Sequence, residues 1–387
     1  INKYVVAAMA SRLLLREGTF LKYHNIDAEV ATQCLELAKT ASELVMSNTN
    51  YKISDDYKAL FASDDLGSNP EVIMYRKYVV GVLEHNMQTA TTSFSVTGAS
   101  KALAESFSTK DGFPIYYNNE YWVAPTAADF FANRDPRLTY IFRPKYYVQL
   151  GEITPPDAPT SDEEMGNVKY SFSGYSCHKY IDDSKFDPAL STYARGKNVT
   201  DAPCLRLGET LLNYAEICYE LGILNQAILD KTINALRDRK GVEMPHLQMV
   251  GDQPAINGTV YDDPKRDPSV PALLWEIRRE RRVELAHEGF RRNDLKRWKK
   301  LDYMMNSVNP DIRFGAYITL SNYPHKHPSI VLENSTATEG YILGNDGGVR
   351  VNMPTEKNYV NPVPTNQINL YRSHGYTLSQ TKEWEDE

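Results

Sequence analysis

The sequence is short of cysteine and tryptophan, with four of each in 387 residues, and it lacks a basic excess and any long apolar run. Each shortage excludes something. Cys34, Cys177, Cys204 and Cys218 fall in no CxxC or Cys/His metal spacing, so they read as ordinary small side chains, and no metal or cofactor is expected. Cys204 and Cys218 fall in one expected helix, about 21 Å apart by helical rise, too far for a disulfide. Fifty acidic residues against 43 basic ones give a net charge of −7, which rules out a generally basic nucleic-acid binder. No stretch reaches the roughly 18 consecutive apolar residues that a membrane-spanning helix requires. The chain opens Ile1-Asn2-Lys3 without Met, basic n-region or apolar h-region. Residues 3–17 already read as mid-protein helix, so the chain is expected to be a fragment of a longer protein.

What is abundant is tyrosine, 26 residues against 12 Phe, a residue whose apolar face and polar tip suit half-wet recognition surfaces. Helical patterns cover 3–17, with Gly18 as the expected stop, and 28–47, so that residues 1–48 form a helix–turn–helix pair with Asn25 in the turn. Residues 49–202 carry recurrent turn signals (SNP, TGAS, DG, TPPDAPTSDEEMG) between short aromatic runs and read as irregular structure. A helix is expected at 203–222, with Cys204, Gly208, Leu211, Ala215, Cys218 and Gly222 on one stripe. A partner at 225–239 makes an antiparallel pair of the tetratricopeptide kind. A third helical block spans about 271–304, broken at Gly289, and residues 306–387 read as a loop-rich tail.

The segment 275–298, WEIRRERRVELAHEGFRRNDLKRW, repeats Glu276, Glu280, Glu284 and Glu288 at i,i+4, where like charges destabilise an isolated helix. Interleaved Arg278, Arg279, Arg281 and Arg282, then Arg291, Arg292 and Arg297, answer them. An ion-pair network clamping neighbouring helices is the expectation, and carboxylates so paired are poor general acids. His287-Glu288 does not complete HExxH.

Residues 280–298, ERRVELAHEGFRRNDLKRW, closely resemble the ER-x-EL-x-x-EG-x-R-x-x-DL-x-RW signature of SusD/RagB-type proteins, surface nutrient-binding lipoproteins of Bacteroidetes. Other stretches resemble that family's stations in order: AAMASRLLLREG, YKALFASDDLGSNPEVIM, KDGFPI, NRDPRL, FSGYSCHKY, LRLGETLLNYAEICYELG, INALRDRKG and YVNPVPTNQI. The end departs, with SQTKEW where the family usually has TQNPGW. The resemblance implies a mostly α-helical fold of tetratricopeptide-like helix pairs with a large irregular region. It implies one SusD-like unit over 1–387 lacking its N-terminal part, divided into the helix pair 1–48, the irregular ligand-binding region 49–202, the helix pairs 203–305 and the tail 306–387. It further implies a non-catalytic protein on the extracellular face of the outer membrane, held by a lipid anchor absent from this chain. Its partner there would be a SusC-like TonB-dependent transporter, and its ligand a glycan or, in some members, a peptide.

The residues themselves place the ligand surface at 113–147, which holds 11 of the chain's 42 aromatic residues. Within it Tyr116, Tyr117, Asn118, Asn119, Glu120, Tyr121 and Trp122 mix ring faces with amide and carboxylate groups. Sugars need that combination, because C–H faces stack on rings while hydroxyls pair with fixed polar groups. Packing of a loop onto helices is the competing reading for each ring. Trp122 is the strongest single candidate, whereas Trp275 and Trp298, flanking the charged helix, read as core. Tyr146, Tyr147, Tyr170 and Tyr175 are weaker candidates, the NRDPRL residues Arg134, Asp135 and Arg137 read as a structural turn, and 154–166 as a loop or partner contact. Two alternatives stay open: a helical-repeat scaffold binding peptides or proteins, and a glycoside hydrolase using two carboxylates, for which Glu120 is the one acidic residue with aromatic flanks.

Overall fold

The computed structural model describes residues 2–88, 91, 98–117, 123–124, 126–144, 171, 173–182, 196–323, 330–344 and 354–385. The first helix, Lys3–Tyr23, starts where the Asn2 side chain accepts the amides of Tyr4 and Val5. The second, Ala28–Met46, starts where Asp27 does the same for Glu29 and Val30. Asn25, at φ 54°, supplies the left-handed turn between them. Ser11 and Ser42 pair at 2.8 Å where the two helices cross.

Gly18 does not stop the first helix. It lies buried in its fifth turn, where an added Cβ would sit 2.9 Å from both the Ala31 carbonyl oxygen and Leu35 Cγ. The glycine permits close approach, which outweighs its poor helix propensity. Gly18→Ala is therefore expected to destabilise the protein by about 1–3 kcal/mol, because a backbone oxygen cannot move aside as a side chain can. Urea denaturation tests this; a gain in stability, as propensity alone predicts, would refute it.

The expected helix at 203–222 begins later. Residues Ala202–Arg206 form a strand antiparallel to Val72–Arg76, and the helix runs Leu207–Glu220. Cys204 thus sits on a strand and not on the helix of Cys218; all four cysteines are free. The 225–239 helix is split into Gln226–Lys231 and Ile233–Arg237. Thr232 at the break turns its hydroxyl onto the Ile228 carbonyl, 2.7 Å away. The third block divides into Ala272–Glu284 and Arg291–Arg297, with Gly289 (φ 85°) between them. The described part of 49–202 has one strand and short helices, as its turn signals indicate. In the tail, Phe314–Thr319, Glu339–Leu343 and Val331–Leu332 form a three-stranded antiparallel sheet with 339–343 in the centre. Gln380, in the departing C-terminal stretch, ties it down by pairing with both backbone polar groups of Val363. No described helix is long and apolar enough to cross a membrane.

Two large apolar clusters result. One joins the helices through residues such as Leu212, Leu229, Ile233, Leu273 and Ile277. The other joins the irregular region to the tail sheet through Phe61, Phe107, Phe142, Tyr175, Ile318 and Ile342. Helix 272–284 belongs to both, with Ile277 in the first and Val283 in the second.

Between them lies the ion-pair network the glutamate ladder requires. Glu284 contacts Arg137 (3.1 Å), Arg206 (2.9 Å) and Arg239 (3.0 Å); Glu280 contacts Arg137 (2.6 Å) and Arg237 (2.9 Å); Glu288 contacts Arg206 (2.8 Å) and Lys179 (2.7 Å). Strand register brings in Glu71, 2.8 Å from Arg206 and 2.7 Å from Arg239. Burial alone would raise these carboxyls, yet the guanidiniums hold Glu280 at about 2 and Glu284 lower still. Glu276 is the exception: burial prevails over Arg279 and raises it.

Candidate functional site

The loop 262–270, DDPKRDPSV, is shaped by two aspartates that accept amides two residues on: Asp263 from Lys265 and Asp267 from Ser269, both at 2.8 Å. Their other oxygens orient aromatic rings. Asp263 Oδ2 accepts the Trp275 indole N–H at 2.9 Å, and Asp267 Oδ2 accepts Tyr303 Oη–H at 2.5 Å and Lys300 Nζ–H at 2.6 Å. Trp275 and Tyr303 meet edge to face, with centroids 6.4 Å apart. Burial pulls the Asp267 carboxyl up, but the bonds from Lys300, Tyr303 and Ser269 outweigh it and hold the group well below the usual carboxylate range. Burial and the Asp267 carboxylate raise the Tyr303 hydroxyl.

These rings border a cavity of about 530 Å³, which Tyr116 and Glu105 line from the irregular region and Arg278, Arg282 and Arg291 from the charged helices. Lys101 bridges Glu105 (3.0 Å) and Asp311 (2.7 Å), and Lys265 reaches Asp311 at 3.2 Å while standing 4.9 Å from the Tyr116 ring. Burial raises Glu105 despite Lys101. The size is that of a small-ligand pocket, and the wall combines ring faces with polar groups held in place by partners of their own. Among the described residues, no group of three or more His, Cys, Asp or Glu is arranged to hold a metal.

Of the residues picked from sequence, Tyr116 is buried and lines this cavity. Tyr117 stacks on Phe113 (4.5 Å, 15°) and meets Tyr261 edge-on, so its described contacts are packing. Asn118, Asn119, Glu120, Tyr121 and Trp122 lie outside the described residues, as do Tyr146, Tyr147, Tyr170 and the segment 154–166. Tyr175, 1% exposed, is core and no ligand contact. Arg134 donates to the carbonyls of Ala104 and Phe107, and Arg137 ties Asp135 to Glu284, so NRDPRL is a structural turn. Trp298 is buried with its N–H on Glu216, but Trp275 is half-buried at the cavity wall and not simply core. The missed residues had one legible signal: Trp275, Arg278 and Arg282 fall at i, i+3 and i+7, one stripe of a helix.

No curated protein matches this chain. Among solved structures, a SusD-like carbohydrate binding protein from Bacteroides fragilis is 23% identical with a TM-score of 0.57, over 88% of this chain and 62% of that one. A second SusD-like protein from the same organism is 20% identical with a TM-score of 0.60, over 99% of this chain and 65% of that one. The chain thus spans less than two thirds of the length of either structure, and at these identities the likeness is one of fold. The family model described as SusD family matches residues 46–384. Helix pairs, irregular region and charged signature agree with that match, and the chain belongs to the SusD family.

Proposed function

We propose that this protein is a non-catalytic glycan-binding protein of the cell surface that hands saccharides to a TonB-dependent outer-membrane transporter. Family membership supports the class. The observation that carries the ligand assignment is the 530 Å³ cavity, where Trp275 and Tyr303 are each fixed by an aspartate and Tyr116 lines the same space. A sugar stacks its C–H face on such rings while its hydroxyls meet the surrounding charged and amide groups. Tyr116 links this cavity in sequence to the Tyr117–Trp122 cluster, and Trp122 is proposed as a second stacking platform. Lipid attachment to the extracellular face of the outer membrane and a SusC-like partner complete the reading, in which the protein holds a saccharide over the transporter.

Isothermal titration against a panel of soluble polysaccharides and peptides tests the assignment. At least one glycan is expected to bind, with Trp275→Ala and Trp122→Ala each weakening it roughly 5- to 30-fold, about 1–2 kcal/mol for a lost aromatic contact. Binding of peptides with no response to any glycan would overturn the ligand class, and release of reducing ends on overnight incubation would overturn the non-catalytic role. Co-purification with a co-expressed SusC-like transporter tests the handover.

A further inference from the structure

The cations around the cavity are unequally matched. Lys300 is taken by Asp267 at 2.6 Å, Lys265 by Asp311 at 3.2 Å, Arg266 by Asp262 at 2.6 Å and Arg279 by Glu276. Three guanidiniums remain. Arg278 is 6% exposed, yet its Nε and one Nη have no hydrogen-bond acceptor among the described residues. Its nearest carboxylate, Glu220 at 3.6 Å, is already bonded to Lys22 and Tyr23. Its cationic face lies instead 4.3 Å from the Trp298 ring and 5.0 Å from the Tyr23 ring. Arg282 and Arg291 have neither ion pair nor hydrogen bond among the described residues, and both line the cavity.

A guanidinium taken out of water with no acceptor, or with only a distant and already shared one, is costly, and three around one space repel each other as well. Burial and the charge of Arg291 pull Arg282 well below its ordinary value, and burial outweighs Asp294 to bring Arg291 down to about 10. Two lining carboxylates have no ion pair among the described residues: Asp263, whose oxygens accept the Trp275 indole and the Lys265 amide, and Asp302, which also borders a second cavity beside Tyr23 and Tyr359; neither is among the charges acting on Arg282 or Arg291. The network of Glu280 and Glu284 spends its charge on Arg137, Arg206, Arg237 and Arg239, so it offers these three arginines nothing.

We propose that Arg278, Arg282 and Arg291 form an anion subsite, which takes the carboxylate of a uronic acid or the sulfate ester of a sulfated sugar while the ring stacks by Trp275 and Tyr303. The inference rests on the glycan-binding reading and names the substrate class within it. Guanidinium suits both groups because its N–H fork matches two oxygens of a carboxylate or sulfate.

Titrating the protein with oligogalacturonate, a chondroitin sulfate oligosaccharide, a neutral galactan oligosaccharide of equal length and a polyglutamate peptide tests it. An acidic saccharide is expected to bind at least tenfold more tightly than the neutral one, with affinity falling as salt rises. Which of the two acidic saccharides binds separates carboxylate from sulfate. Arg282→Gln is expected to lose that tenfold preference and, without ligand, to melt at a higher temperature because a repelling charge is gone; Arg291→Gln checks the result at an independent position. Equal binding of acidic and neutral saccharides, unchanged in Arg282→Gln, would overturn the subsite and leave the glycan reading standing. Polyglutamate binding through these arginines with no saccharide of either kind bound would overturn both.

Discussion

Glu284→Gln is expected to cost about 3–5 kcal/mol of folding stability, the range for removing one partner from a buried ion network. Glu284 is fully buried and faces Arg137, Arg206 and Arg239 at 2.9–3.1 Å. Gln keeps the shape but brings an N–H₂ against three guanidiniums and leaves one positive charge uncompensated. The neighbouring acceptors cannot shift to cover the loss, since Glu71 is shared by Arg206 and Arg239 and Glu280 by Arg137 and Arg237. Urea denaturation with far-UV circular dichroism measures the effect; a loss under about 1 kcal/mol would mean that the network is redundant.

The same network sets an acid limit. Arg297 holds Glu216, and Arg137 and Arg237 hold Glu280, at about 2 despite burial, against an ordinary value of 4.5, while Glu288 is also lowered. A carboxyl depressed on folding contributes stability that is complete above its unfolded pKa and is lost as pH falls through the folded one, here between about 4.5 and 2. Each of Glu216 and Glu280 supplies on the order of 3 kcal/mol in that window. His287, lowered to about 4 by burial and by Lys179, acts earlier: its contribution is present above about 6.5 and drains away toward pH 4. Glu105 and Glu276 have raised values and work in the opposite sense, their contribution being lost as pH rises through those values. The net expectation is a stability that declines from about pH 6.5 and collapses between 4.5 and 2. Denaturation midpoints flat from pH 7 to 3 would contradict it.

The glutamate ladder was readable because like charges at i,i+4 must be answered, and the answer turned out to be as predicted in kind. Its partners were not readable: Glu71, Arg137, Arg206 and Arg239 come from separate segments, and only strand register and helix packing gather them. Local signals misled where tertiary contact overrides propensity. Gly18 looks like a helix stop and serves as a crossing point; residues 203–206 read as the start of a helix but belong to a strand that pairs with 72–76. Of the aromatic cluster, only Tyr116 and Tyr117 are described, and one lines the cavity while the other packs. Trp275 reads as core from sequence because a Trp beside a charged helix has the same sequence appearance whether it faces an interior or a cavity. Asp263 fixes its indole, and the arginines one and two turns along line the same cavity.

The position of the charge network between the two apolar clusters bears on how the chain folds. Glu71 and Arg206 are separated by 135 positions, and Glu71 and Arg239 by 168. Neither cluster can close fully while those charges lack partners, so an early collapsed half would carry stranded ions at its boundary. Contacts this distant in sequence are slow to assemble because loop closure must precede the reward. On these separations the network would act as a proofreading step, with the helical and irregular halves sealed together only when each has delivered the charges the other needs.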